Sequence, residues 1–87
     1  MRRLAYSAYN DYHEYEFKKL NIEAFMTFGG SSARALNARN AEMKRLRRQG
    51  IECKAWSKSY PQFIKSGQRR YTVHYIDIME RSDDNAS

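Results

Sequence analysis

The 87-residue sequence predicts an α+β protein, a small single-sheet β-α-β-β sandwich with an additional N-terminal helix. Three observations carry that prediction. The stretch over about 32–49 has helical spacing, with serines before it and a glycine after it. The stretches on either side of it, "NIEAFMTF" and "GIECKAWSKSY", alternate apolar and polar residues as half-buried strands do. The last one, "RRYTVHYIDIM", is dense in the β-branched and aromatic residues that fit a pleated surface. The length suits one domain with one small core, predicted over 1–79. Seven tyrosines, four phenylalanines and one tryptophan are too many aromatics for a disordered chain.

The N-terminal segment is read as a helix over about 3–19, because Ala5, Ala8, Tyr12 and Tyr15 fall on one helical face. Tyrosines at 6, 9, 12 and 15 keep a competing reading open, a hairpin turning at Asn10-Asp11. A strand over 21–28 follows, with Ile22, Ala24, Met26 and Phe28 on one side and Phe25 breaking the alternation. The central helix comes next. Ser31 or Ser32 can accept a hydrogen bond from an orphan amide of the first turn, and Gly50 sits where a left-handed cap is needed. Leu36, Met43 and Leu46 form its apolar stripe, with Arg39 and Arg47 flanking the stripe on snorkelling stems. Arg34, Lys44, Arg45 and Arg48 fall towards the opposite side. In the strand over 50–60, Ile51, Cys53 and Ala55 are expected to face the core. Lys54, Trp56, Lys58 and Tyr60 are then expected on the open face of the sheet. Pro61 and Gly67 mark "PQFIKSGQ" as a long hairpin loop, in which Phe63 and Ile64 either fold back on the core or form a contact knob. In the strand over 69–79, Tyr71, Val73 and Tyr75 favour one parity while Ile76 and Ile78 favour the other, which a bulge would resolve. Residues 80–87 read as a disordered acidic tail.

The charge is unevenly placed. Residues 29–71 carry eleven basic residues against Glu42 and Glu52, a net +9, between a neutral N-terminal part and an acidic C-terminal part. Such a block points to a polyanion or to an acidic protein surface. One cysteine, Cys53, cannot form an internal disulfide and fits a reducing cytoplasm. The basic start "MRR" has no long apolar run behind it, and no stretch approaches the roughly 18 apolar residues of a membrane span.

The hinge "GGSS" before the helix lacks the lysine of a phosphate-binding P-loop and the spacing of a dinucleotide fingerprint, so it reads as a strand-to-helix turn. An incidental phosphate contact at that helix start stays open. His13 and His74 have no partner at metal-ligand spacing, no nucleophile–base set is suggested by local spacing, and no cofactor or enzymatic activity is expected. The strongest functional signal is "KAWSKSY". Lys54, Trp56 and Lys58 on an open face, extended by Arg69 and Arg70 across the hairpin, interleave cations with aromatics as a single-strand binding platform does. Trp56 packed under a neighbouring segment is the competing reading. Duplex DNA gripped through Arg34, Lys44, Arg45 and Arg48 is a further option, driven mainly by phosphate contacts.

The layout strand–"GGSSARALNARNAEMKRLRRQG"–strand–hairpin, ending in "RYTVHYID", resembles the small accessory proteins that bacteriophages and mobile elements encode, anti-CRISPR proteins among them. The resemblance spans about residues 21–79, rests on layout, and carries no residue over by number. It implies a protein that blocks or redirects a nucleic-acid machine by docking a basic face on an acidic patch. Two functions are therefore expected. The first is a non-enzymatic nucleic-acid-binding module, single strands favoured, that uses Arg34, Lys44, Arg45, Arg48, Lys54, Trp56, Lys58, Arg69 and Arg70. The second is an accessory or inhibitor protein that binds a nucleic-acid-processing complex through the helix face and through Phe63 and Ile64. An exposed edge strand and the tyrosine-rich N-terminus are also compatible with a homodimer.

Overall fold

A computed structural model describes residues 1–79; the predicted tail over 80–87 lies outside the described residues. The chain runs β1 (Arg2–Ser7), α1 (Glu14–Leu20), β2 (Ala24–Thr27), α2 (Ser32–Arg48), β3 (Cys53–Ile64) and β4 (Gly67–Ile78). The four strands form one mixed sheet in the order β2-β1-β4-β3, with β1 parallel to β2 and β4 antiparallel to both β1 and β3. The α+β class therefore holds, and the sheet contains a fourth strand that the sequence reading placed in a helix.

That strand is β1, and it replaces the first half of the predicted helix over 3–19; α1 is a shorter helix that follows it. The physical reason is burial on both faces. Leu4 and Tyr6 pack on the α2 side, while Ala5 packs on the α1 side directly opposite Tyr75. A central strand covered on both faces shows no polar–apolar alternation, and a short apolar run of this kind is hard to tell from a helix by periodicity. The hairpin at Asn10-Asp11 does not form, since the chain runs from β1 directly into α1.

The same double burial settles the facing of β4. Tyr71, Val73 and Tyr75 enter the cluster with Phe17 of α1, and Ile76 and Ile78 enter the cluster with Ala35, Met43 and Leu46 of α2. Its register is continuous against β3 over Gly67–Ile78, so no bulge is needed. The helices thus cover opposite faces of the sheet. α2 carries the chain from one edge strand, β2, to the other, β3, so the two strands flanking α2 are not neighbours. The parallel neighbours are β1 and β2, joined through α1.

The predicted long loop over 61–68 is mostly strand. Pro61, Gln62, Phe63 and Ile64 belong to β3, and only Lys65 and Ser66 form the turn before Gly67. Pro61 is tolerated because β3 is an edge strand, where an amide can be absent without breaking the ladder. β1 reaches only Val73–Ile78 of β4, so beyond that point β3 and β4 continue as a two-stranded ribbon.

Candidate nucleic-acid interface

Local chemistry sets the ends of α2. Ser31 Oγ accepts from the Arg34 amide at 3.2 Å, which caps the first turn. At the other end Gly50 takes φ +76°, while the Ile51 amide donates to the Leu46 carbonyl and the Gly50 amide to the Arg47 carbonyl, both at 3.0 Å. Ala35, Met43 and Leu46 are the buried residues of the helix; Met43 and Leu46 are as expected, and Ala35 takes the place of Leu36, which is only half-buried. Arg39 reaches beneath the helix towards the carbonyls of Trp56 and Tyr75, at 3.4 and 3.5 Å, and desolvation there lowers its pKa.

The outward side of α2 is a strip of exposed cations. Arg34, Lys44, Arg47 and Arg48 have no ion pair or side-chain hydrogen bond among the described residues. Arg45 is different: its Nε donates to Glu42 at 3.0 Å and its Nη2 to the second carboxylate oxygen, so its charge is half-spent inside the helix. Lys44, Arg47 and Arg48 also border a groove of about 720 Å³ between α2 and β3, with Met43, Asn40 and Ala55 as its other lining residues. Ala55 is exposed there. It faces the same side as Cys53, as expected, but α2 leaves it uncovered.

The sheet face predicted to be open is partly covered. Lys54, Trp56, Lys58 and Tyr60 share one face of β3, but α1 lies over that face. Tyr60 is buried and its hydroxyl meets that of Tyr75 at 2.7 Å. Lys58 Nζ is 3.4 Å from Glu16 of α1. Trp56 is half-buried: its ring stacks on Tyr75 with centroids 4.1 Å apart, and the Arg3 guanidinium lies over it at 5.3 Å. Arg3 in turn binds Asp77 at 2.6 and 3.0 Å and donates to the Leu20 carbonyl at 2.8 Å, which ties the last turn of α1 to the sheet. Burial pushes the Asp77 carboxyl up, but the hydrogen bonds from Arg3 bring it below its ordinary value; Trp56 Nε1 is buried with no hydrogen-bond partner among the described residues. Lys54 remains exposed.

The hairpin residues divide between the two sides. Arg69 lies on the Trp56 side, where its Nε donates to Gln62 Oε1 at 2.6 Å and its guanidinium covers Tyr9 at 4.7 Å. Arg70 points to the other side and donates to the Ser59 carbonyl at 3.1 Å. Arg69 and Arg70 therefore do not extend one continuous patch. Ile64 is exposed near the ribbon end, and the side chain of Phe63 lies outside the described residues.

The glycine hinge is a turn. Gly29 and Gly30 take φ +59° and +88°, the Gly30 amide donates to Ala8 at 2.6 Å and the Ser31 amide to Phe28 at 3.1 Å. Those amides serve the chain itself. His13 stacks on Tyr60 with centroids 5.1 Å apart, and Cys53 is a buried free thiol. Tyr71 donates to the Asp11 carbonyl at 2.7 Å, and burial pushes its phenol up to about 12. Among the described residues no group of His, Cys, Asp or Glu is placed to hold a metal ion, and no helix is long and apolar enough to cross a membrane.

His74 predicts a pH dependence. Its Nδ1 is 2.8 Å from Ser57 Oγ, and burial first, then the Arg39 charge, lower its pKa. The fold favours neutral imidazole, so the unfolded chain takes up its proton first as pH falls. Stability is therefore highest above the ordinary histidine value of 6.5 and declines as pH drops below it towards the folded-state value. The urea midpoint should fall between about pH 7.5 and 5.5, and His74→Gln should flatten that part of the curve. Asp77 acts in a separate window, below its ordinary value of 3.8.

Arg3 and Arg47 are the residues that sequence reasoning undervalued. No local pattern links Arg3 to Asp77, which is 74 positions away. Arg47 did have a signal, since it follows Met43 by one helical turn and so sits at the border of the buried stripe.

What fold and surface define is a small α+β protein with a mixed four-stranded sheet, a helix on each face and one strongly basic helix. The chain matches no protein-family model, no curated protein and no solved structure.

Proposed function

We propose that this chain is a small non-enzymatic nucleic-acid-binding module whose contact surface is the outward side of α2, with Arg34, Lys44, Arg47 and Arg48 meeting phosphates. The observation that carries this reading is the set of four exposed cations along one helix that have no partner among the described residues. Exposed guanidinium and ammonium groups released from internal pairs are available to displace condensed counterions from a phosphate backbone. The ring of Trp56 is already engaged by Tyr75 and Arg3, so base stacking gives single strands little advantage. Duplex is accordingly the preferred ligand, gripped through its backbone and without base readout.

Fluorescence anisotropy with labelled single-stranded RNA, single-stranded DNA and duplex DNA, at several salt concentrations, tests this. The expected result is duplex binding that weakens linearly on a log–log salt plot, with a slope near 3 to 4, about 0.9 per phosphate met. No binding near physiological salt, or a marked preference for single strands, overturns it. A second reading is an accessory or inhibitor protein of the phage type, docking on an acidic surface of a nucleic-acid-processing complex. One observation favours it, the groove beside α2 with basic residues along its border.

A further inference from the structure

We propose that the outer edge of β3, beside α2, is a docking strip for an acidic, extended polypeptide segment that adds to the sheet as a fifth strand. β3 has a neighbour on one side only. Its hydrogen-bonding phase is readable from both ends. The Met79 amide donates to the Glu52 carbonyl at 2.8 Å, and the two-residue turn closes on the pair Ile64 and Gly67. In an antiparallel ladder hydrogen-bonded pairs alternate, so the even-numbered residues of β3 are bonded to β4. Cys53, Ala55, Ser57 and Ser59 then turn their amides and carbonyls outward. Towards the ribbon end this edge is blocked, because Arg70 takes the Ser59 carbonyl and Pro61 has no amide. The open run is the stretch 53–57.

The chemistry on both sides of that run is cationic. On the α2 side, Lys44, Arg47 and Arg48 border the groove, Met43 and Ala55 add apolar surface, and no carboxylate among the described residues lines it. On the α1 side, Lys54 stands exposed next to the same run. An incoming strand alternates its side chains to the two faces, so acidic residues on either face meet cations. Backbone pairing supplies the affinity in this mode of recognition, and the flanking side chains supply the choice of partner. A second copy of this chain is the poorer occupant. Antiparallel pairing through the same edge would put both α2 helices on the same side of the joined sheet, setting Lys44, Arg47 and Arg48 of one copy against those of the other. The strip shares these three residues with the proposed nucleic-acid surface, so a docked acidic strand and a polyanion would exclude each other. The strip itself does not rest on the nucleic-acid reading.

The test contains no nucleic acid. A fluorescein-labelled peptide of alternating glutamate and valine is titrated against the full chain. Two further versions carry N-methyl groups on alternate residues, one on the odd and one on the even positions. Docking on the edge requires one methylation phase to weaken binding by about tenfold or more while the other leaves it intact. Arg47→Glu with Arg48→Glu should weaken the unmethylated peptide by a similar factor while lowering the melting temperature by only a few degrees: both side chains are exposed and have no partner among the described residues, and the cost is that of acidic residues opposing the dipole in the last turn of α2. Equal binding of all three peptides, or no binding by any, overturns the proposal. So does self-association that the charge reversal strengthens, which would make a second copy the occupant. Binding that appears only in a chain ending at Met79 overturns it as well, by assigning the strip to the chain's own residues 80–87.

Discussion

Replacing Arg34, Lys44 and Arg48 together by glutamine should reduce duplex affinity by about a hundredfold at physiological salt and lower the salt slope by about 2.7. The magnitude follows from counterion release. Each phosphate met contributes a factor of inverse salt concentration to the power of about 0.9, roughly fivefold at 0.15 M, and three such contacts multiply to about a hundredfold. The loss will not come from unfolding. All three side chains are exposed and have no partner among the described residues, and surface substitutions of this kind usually change stability by less than about 0.5 kcal/mol. Arg45→Gln is the internal control. Its guanidinium is held by Glu42, whose carboxyl that hydrogen bond keeps below the ordinary value, so its removal should change affinity less than removal of Arg48. Anisotropy titrations of wild type, triple variant and Arg45→Gln over a salt series decide the matter. An unchanged slope in the triple variant would remove α2 from the interface.

Trp56→Ala should destabilise the fold by about 3 kcal/mol, at the lower end of the range for losing a large aromatic because Trp56 is only half-buried. The residue stacks on Tyr75 and lies beneath Arg3. Its loss opens a gap beside Tyr75, which is fully buried. It also loosens the Arg3–Asp77 pair, whose side chains are 15% exposed each, and with it the Leu20 carbonyl contact that anchors α1. Trp56→Phe keeps the stacked pair and should recover much of the loss, since aromatic pairs are worth about 0.5–1.5 kcal/mol beyond their buried area. Urea unfolding followed by circular dichroism measures both variants. The reading behind this prediction also requires that duplex affinity of the folded Trp56→Phe variant match wild type. Preserved stability with a large loss of single-strand affinity would instead restore Trp56 as a base-stacking platform.

The cations of α2 and Trp56 mark where the sequence was readable and where it was not. The α2 helix was legible nearly to the residue, because its determinants are local. Ser31 caps it, alanines favour it, and Gly50 takes the left-handed angle that stops it. The exposed cations were legible for the same reason, since their placement follows from helical periodicity and from the absence of acidic neighbours at three and four positions within the helix, with Glu42 the exception; Glu52, four positions after Arg48, lies beyond the helix end. The shared face of Lys54, Trp56, Lys58 and Tyr60 was also correct, since a strand's period of two decides it.

Whether that face is open was not readable, because the answer depends on an element far away in the chain. The sequence by itself determined the α+β class, the central helix with its basic outer side, the parity of β3 and the concentration of charge in the middle of the chain. Each of these follows from spacing within a few residues. Only the tertiary structure decided that β1 is a strand, that β4 is central, and that Trp56 stacks on Tyr75 beneath Arg3. It alone decided that β3 is left at an edge beside the cations of α2. Those outcomes depend on which surfaces meet across the sheet. A strand buried on both faces loses the alternation that would announce it, and contacts such as Arg3 with Asp77 join positions that no local pattern connects.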